Sequence, residues 1–130
     1  MNNQCRNGFR NGRNASAFIL LFLKQEPMSG IDLLNKIKEQ VPASRMDGAC
    51  IYRTLKKLEI QEMAHSKWQK NPESQDQKIY TITQEGIDFL SIKKEEIAKK
   101  IKNFEFFLKR YEELSGFFLR VFLIKTKVQQ

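Results

Sequence analysis

Two segments limit what this chain can fold into: IYRTLKKLE at positions 51–59 and QKIYTITQEG at 77–86. In the first, Ile51, Leu55 and Leu58 recur at helical spacing, which predicts a helix with one apolar face. In the second, Lys, Ile, Tyr, Thr, Ile and Thr alternate from Lys78 to Thr83, as in a half-buried strand. The same segment then runs into a helix start, with Thr83 as cap and Gln84, Glu85 and Gly86 in the first turn. A helix, a short strand and a second helix must therefore follow one another within a few dozen residues.

The helix at 51–59 is asymmetric in charge. With Ile51 at zero on a helical wheel, Leu55 and Leu58 fall beside it, and Ala49, Arg53, Lys56 and Lys57 fall opposite, with Tyr52 on the flank. An ordinary solvated Lys/Arg face interleaves acids, whereas here Glu59 stands alone at the end. An apolar inner face, a cationic outer face and a small residue near the start suit a helix that enters a nucleic-acid groove.

The flanking segments complete the pattern. A first helix is predicted from Asn14, as N-cap, to about Gln25, with Pro27 as the stop. Its Phe18, Ile19, Leu21, Phe22 and Leu23 make it apolar around most of its circumference, as in a central core helix or one that also feeds an interface. Ser29 caps a second helix, with Asp32 three residues on, and Ile31, Leu34, Ile37 and Val41 as its inward stripe. Pro42 ends it, and Asp47 caps the third helix. From Met63 to Trp68 the pattern turns strand-like. KNPESQDQ then supplies turn-forming residues before the second strand. Three helices followed by a hairpin describe a winged helix-turn-helix, in a fold that is mostly α with a small β-hairpin.

The last helix is long. Leu90, Ile97, Ile101, Phe104, Leu108 and Tyr111 follow steps of seven, four, three, four and three, which is heptad spacing. A domain this small has no place to bury such a stripe, so pairing with a second copy is expected, and two-fold dimers are the commonest oligomers. Gly116 is expected to break the helix. The apolar and basic FFLRVFLIKTKVQQ that follows fits either a short added helix or a strand. The expected organisation is a basic tail (1–13), a winged-helix domain (14–83), a dimerisation helix (84–115) and a C-terminal extension (116–130). The tail carries Arg6, Arg10 and Arg13 and no acid. It is either a frayed solvated end or an arm laid along DNA.

Bulk properties agree. The 130 residues carry a formal charge of +8, with a pI near 9.6, which favours a polyanionic partner. The cysteines, Cys5 and Cys50, have neither metal-ligand spacing nor a disulfide framework, as in a reducing cytoplasm. The longest apolar run, Ala17 to Leu23, is far too short to span a bilayer, and no signal peptide is visible, so a soluble cytoplasmic protein is expected. No nucleophile–base pair, phosphate loop, carboxylate pair or metal spacing supports an enzyme, and no cofactor or metal is expected.

From Ala15 to Leu114 the chain resembles the PadR family of bacterial transcriptional regulators. The resemblance is carried by EPMSGIDLL (Glu26–Leu34), DGACIYRTLKKLE (Asp47–Glu59), SKW (Ser66–Trp68) and KIYTITQEG (Lys78–Gly86), in order and at the right separations. Two segments depart. Glu62, Met63 and Ala64 stand where the family commonly has Gly-Leu-Val or Gly-Leu-Ile, and Ile31 stands where an aromatic is usual. The resemblance implies a winged helix with a long C-terminal dimerisation helix. It further implies a homodimer that binds a palindromic operator in double-stranded DNA and releases it when a small hydrophobic or aromatic effector binds near the dimer interface.

On this pattern Arg53 is the candidate for a guanine edge, since its planar fork is bidentate. Lys56 and Lys57 suit phosphate, as does Arg45 ahead of the helix. Tyr52 either donates its hydroxyl to a phosphate or packs between the third helix and the wing. Lys67, Gln69 and Lys70 are the wing's candidates for the DNA backbone or minor groove. Leu90, Ile97, Ile101, Phe104, Leu108 and Tyr111 form the expected dimer seam, and Phe89, Phe107 and Phe118 are candidates for the wall of an effector pocket. Cys50 near a helix start is either a thiol sensor or a small residue tolerated there. His65 has no ligand partner nearby. The competing assignments are a winged helix whose basic face meets an acidic protein and, third, a basic amphipathic C-terminus (Phe117–Lys127) resting on a membrane, against which Arg120 counts.

Overall fold

The computed structural model describes residues 14–42 and 44–129, with side chains described as far as Gly116. The basic tail, Cys5 among it, lies outside the described residues. Among the described residues four helices and three short strands follow in the order α1 (Ala15–Gln25), β1 (Met28–Ser29), α2 (Gly30–Gln40), α3 (Gly48–Ile60), β2 (Ala64–Gln69), β3 (Gln77–Ile82) and α4 (Gln84–Gln129). The chain forms two units, one up to Lys93 and one from Lys94 onward.

The first unit is built around α1. Ile19, Leu20 and Leu23 are buried, together with Leu33 and Ile37 of α2 and Ile51, Leu55 and Leu58 of α3. Leu21 is the exception on α1, at 48% exposed. Asn14 stands at the N-cap position but makes no side-chain capping bond. At the other end Glu26 is already extended, as the residue before Pro27 must be. The inward face of α2 differs from the expected stripe: Leu33 joins Leu34 and Ile37 inside, and Ile31 is 45% exposed. The other caps match. The Asp32 N–H donates to Ser29 Oγ (3.2 Å) and the Cys50 N–H to Asp47 Oδ1 (2.8 Å).

The hairpin gains a third strand. β1 pairs antiparallel with β3, Met28 opposite Tyr80, so the sheet order is β1-β3-β2. Met28 and Ser29, the latter also the α2 cap, are too short a run to register as a strand in the sequence. They tie the turn before α2 to the wing.

The exit from α3 is where the family's usual glycine is missing. Glu62 adopts φ 60°, the left-handed region. The Glu62 N–H donates to the Glu59 carbonyl and the Met63 N–H to the Leu58 carbonyl, which closes the helix with the crossed pair of bonds of a Schellman cap. Thr83 then locks the stop from outside. Its hydroxyl donates to the Glu62 carbonyl (2.6 Å), its N–H donates to the Met63 carbonyl (3.0 Å), and its Oγ1 accepts the Gly86 N–H (3.2 Å) at the start of α4. Gly86 is buried, and only a glycine fits there, since a Cβ would meet the Met63 carbonyl oxygen and stand 2.7 Å from Ile82 Cγ1.

Helix α4 continues through Gly116 to Gln129, so the expected break at Gly116 is not present. A glycine in a helix costs about 1 kcal/mol, which by itself does not end a long one. From Lys94 on, Ile101, Phe104, Phe106, Phe107, Leu108, Tyr111 and Leu114 are all exposed. Arg110 sits over the Phe106 ring, and Phe107 stacks on Tyr111 at 6.4 Å between centroids.

Two substitutions test the α3 exit. Glu62→Gly removes a left-handed cost of about 1–2 kcal/mol and adds an unfolded-state entropy cost of about 0.5–1 kcal/mol. The expected net gain is about 0.5–1 kcal/mol in urea unfolding. Gly86→Ala places a methyl against backbone and is expected to destabilise by about 1–3 kcal/mol, visible as a lower Tm.

Candidate nucleic-acid interface

Helix α3 presents its faces as the sequence implied. Cys50, Ile51, Thr54, Leu55 and Leu58 are buried, while Ala49, Arg53, Lys56 and Lys57 are exposed. The one acid of the helix, Glu59, turns to the wing. Its Oε2 accepts from Ser66 Oγ at 2.9 Å, and its Oε1 lies 3.4 Å from Lys78 Nζ. The outer face of α3 is thereby left cationic, and the helix is tied to both long strands. Arg45 is exposed in the segment ahead of α3.

Tyr52 lies on the flank of α3 nearest the wing. Its ring packs on Gly30, whose missing Cβ makes the room: a Cβ there would meet Tyr52 Cε1 and stand 2.8 Å from Cζ. The residue nevertheless remains 50% exposed. Tyr52 therefore packs against the first turn of α2, which neither of its two expected roles described.

The strand register sorts the wing. Ala64, Ser66 and Trp68 pair with Ile82, Tyr80 and Lys78 and share one face of the hairpin, the face that Ser66 bonds to α3. His65, Lys67 and Gln69 lie on the other face. Lys67, Gln69 and Lys70 are all exposed, so the wing offers cations along its outer side and tip. Two residues on the inner face were undervalued in the sequence. Trp68 is 69% exposed, and Lys78, 5.6 Å over the Tyr80 ring, holds Glu59. Period-two alternation marked this face, but the side of the hairpin that meets α3 is not legible without the turn. Tyr80 is buried, and that desolvation raises its hydroxyl pKa although Lys78 pulls it down.

The remaining expected sites divide between the two units. In the first, Phe89 and Leu90 are half-buried and pack against the core of their own chain. In the second, Ile97 is half-buried, and Ile101, Phe104, Phe107, Leu108 and Tyr111 are exposed. The side chain of Phe118 lies outside the described residues. Cys50 is 1% exposed, inside the core and not on the outer face of α3. Among the described residues no cluster of His, Cys, Asp or Glu could hold a metal ion, and no helix is long and apolar enough to cross a membrane.

The model of the transcriptional regulator PadR-like family matches residues 19–92. The chain belongs to this family. Among solved structures it is similar to a PadR family transcription regulator from hypervirulent Clostridium difficile, at 28% identity and TM-score 0.59, over 68% of this chain and 94% of that one. It is also similar to Bacillus subtilis PadR, solved in complex with operator DNA, at 26% identity and TM-score 0.55, over 58% of this chain and 44% of that one. A conserved protein described as a potential transcriptional factor aligns at 25% identity and TM-score 0.70, over 80% of this chain and 92% of its own. No curated protein sequence matches the chain. The family match covers α1 through the start of α4, so it includes α3 and the wing of this PadR-like regulator.

Replacing Glu59 with Ala is expected to cost about 1–2 kcal/mol, because Ser66 loses a charged acceptor and Lys78 its partner in a half-exposed site. Amide exchange should quicken over Ala64–Gln69 more than over α3. Equal changes in both would show that Glu59 does not hold the wing.

Proposed function

We propose that this PadR-like regulator acts as a repressor, binding a palindromic operator as a homodimer and releasing it when a small hydrophobic or aromatic effector binds. One observation carries the reading: α3 exposes Arg53, Lys56 and Lys57 together, while its single acid is spent on the wing. A helix so arranged can lie in a major groove with no carboxylate facing phosphate. In this reading Arg53 meets a base edge, and Lys56, Lys57 and Arg45 meet phosphate. Lys67, Gln69 and Lys70 of the wing reach the neighbouring backbone. Operator DNA is what the Bacillus subtilis relative was solved with, and the net charge of +8 suits the same kind of partner.

The dimer is supported by apolar surface exposed among the described residues. On the second unit Phe104, Leu108 and Tyr111 are each more than 60% exposed, on a helix whose apolar stripe a second copy would cover. On the first unit a groove of about 410 Å³ beside α1 is lined by Phe18, Leu21, Phe22 and Val41. Two-fold pairing would place two recognition helices about 34 Å apart, one turn of DNA, and so calls for an inverted repeat. The exposed Phe107–Tyr111 stack belongs to the same apolar surface, the kind of lining an apolar effector would use. Such a regulator works in the cytoplasm.

The test is fluorescence anisotropy on the DNA upstream of the protein's own gene, against a scrambled duplex, across salt. Tight binding to the first alone, saturating at two chains per site, is expected. Arg53→Ala should cost about 1–3 kcal/mol on that site and relax preference at one position per half-site. Equal, salt-sensitive binding to both duplexes would instead favour an acidic protein as the partner.

A further inference from the structure

The inner side of the wing holds a surface that the cationic residues do not account for. Between the first turn of α2, the flank of α3 and the hairpin lies a groove of about 680 Å³, lined by Ser29, Gly30, Ile31, Tyr52, Trp68, Ser74–Lys78 and Tyr80. We propose that this groove seats one sugar-phosphate strand of duplex DNA, with Trp68 as a direct contact; the proposal rests on the DNA-binding reading above.

Three observations carry it. The register puts Trp68 two residues beyond Ser66 on the face that Glu59 ties to α3, so the indole is aimed at the recognition helix rather than away from it. Yet Trp68 is 69% exposed, and it lines the same groove as Tyr52, whose ring packs on Gly30. The groove is also continuous with the cationic surface, since Lys56 follows Tyr52 by one helical turn and is exposed.

The chemistry of the lining fits a backbone strand. Lys78 is already paired with Glu59, so the groove is not itself a strong cation site. Asp76, the one acid of the lining, turns its Oδ1 back onto the Asn71 N–H (3.1 Å). What remains are the exposed rings of Tyr52 and Trp68, the half-exposed Ile31, an indole N–H and small hydroxyl and amide groups. An indole can press on a deoxyribose while its N–H donates to a phosphate oxygen. Such a contact adds affinity without choosing a sequence.

Trp68 is the only tryptophan in the chain, so its emission reports on this groove in the unmodified protein. The experiment is acrylamide quenching of the full chain, free and saturated with a labelled random-sequence duplex at low salt, with saturation read separately by anisotropy. DNA is expected to cut the quenching constant severalfold. Trp68→Ala is expected to weaken binding about tenfold on random and upstream duplexes alike. The slope of log affinity against log salt should stay unchanged, because no charge is lost. Trp68→Phe should recover most of the affinity. Saturated binding with unchanged quenching overturns the proposal and leaves the cationic reading standing. Absence of binding to either duplex overturns both, and the anisotropy shows which has failed.

Discussion

The arrangement of the candidate interface depends on how the recognition helix stops. Glu62 takes a left-handed conformation that glycine adopts freely and glutamate does not. That single residue turns the chain out of α3 and into β2. The conformation is held from outside, by the Thr83 hydroxyl on the Glu62 carbonyl and the Thr83 N–H on the Met63 carbonyl. The same Thr83 oxygen accepts the Gly86 N–H that opens α4. One threonine thus joins the end of α3, the end of the wing and the start of the last helix. The bare Cα of Gly86 lets these three backbones approach one another.

Charge is sorted by the same packing. A glutamate on a recognition helix would repel phosphate if it faced outward. Glu59 faces the hairpin instead, where Ser66 and Lys78 take both its carboxylate oxygens. The ion pair is partly exposed and contributes little energy by itself. The face of the hairpin that looks at α3 is the one that buries Ala64 and Tyr80 in the core, and the ion pair lies on that same face. Trp68 and Lys78 follow onto that face through the strand period, and Lys67 and Gln69 are sent to the other.

The second unit obeys a different constraint. A single helix cannot bury its own side chains, so Ile101, Phe104, Leu108 and Tyr111 stay in water unless another surface covers them. Heptad spacing made that stripe visible in the sequence. The spacing did not reveal Phe106, Phe107 and Leu114, which widen the apolar surface beyond a two-residue seam. Nor did it separate Leu90 from the stripe, since packing on the core within one chain and packing on a second copy call for the same residue type.

Whatever depends on neighbours along the chain was determined by the sequence itself. The Ser29, Asp47 and Thr83 caps, the Pro27 stop and the inner triad of Ile51, Leu55 and Leu58 each follow from spacing within one turn. So does the cationic face of α3. Local signals misled where two tendencies competed. Asn14 had the side chain of a cap without the geometry, and Gly116 had the propensity of a breaker inside a helix that outweighed it. What tertiary structure alone decided are the contacts between segments far apart. β1 is two residues long and exists because β3 lies beside it. Tyr52 rests on Gly30 because α3 packs against α2, and Glu59 reaches Ser66 and Lys78 because α3 also packs against the hairpin. A periodic pattern tells a residue which face it shares, but only the packed chain determines what that face is turned toward.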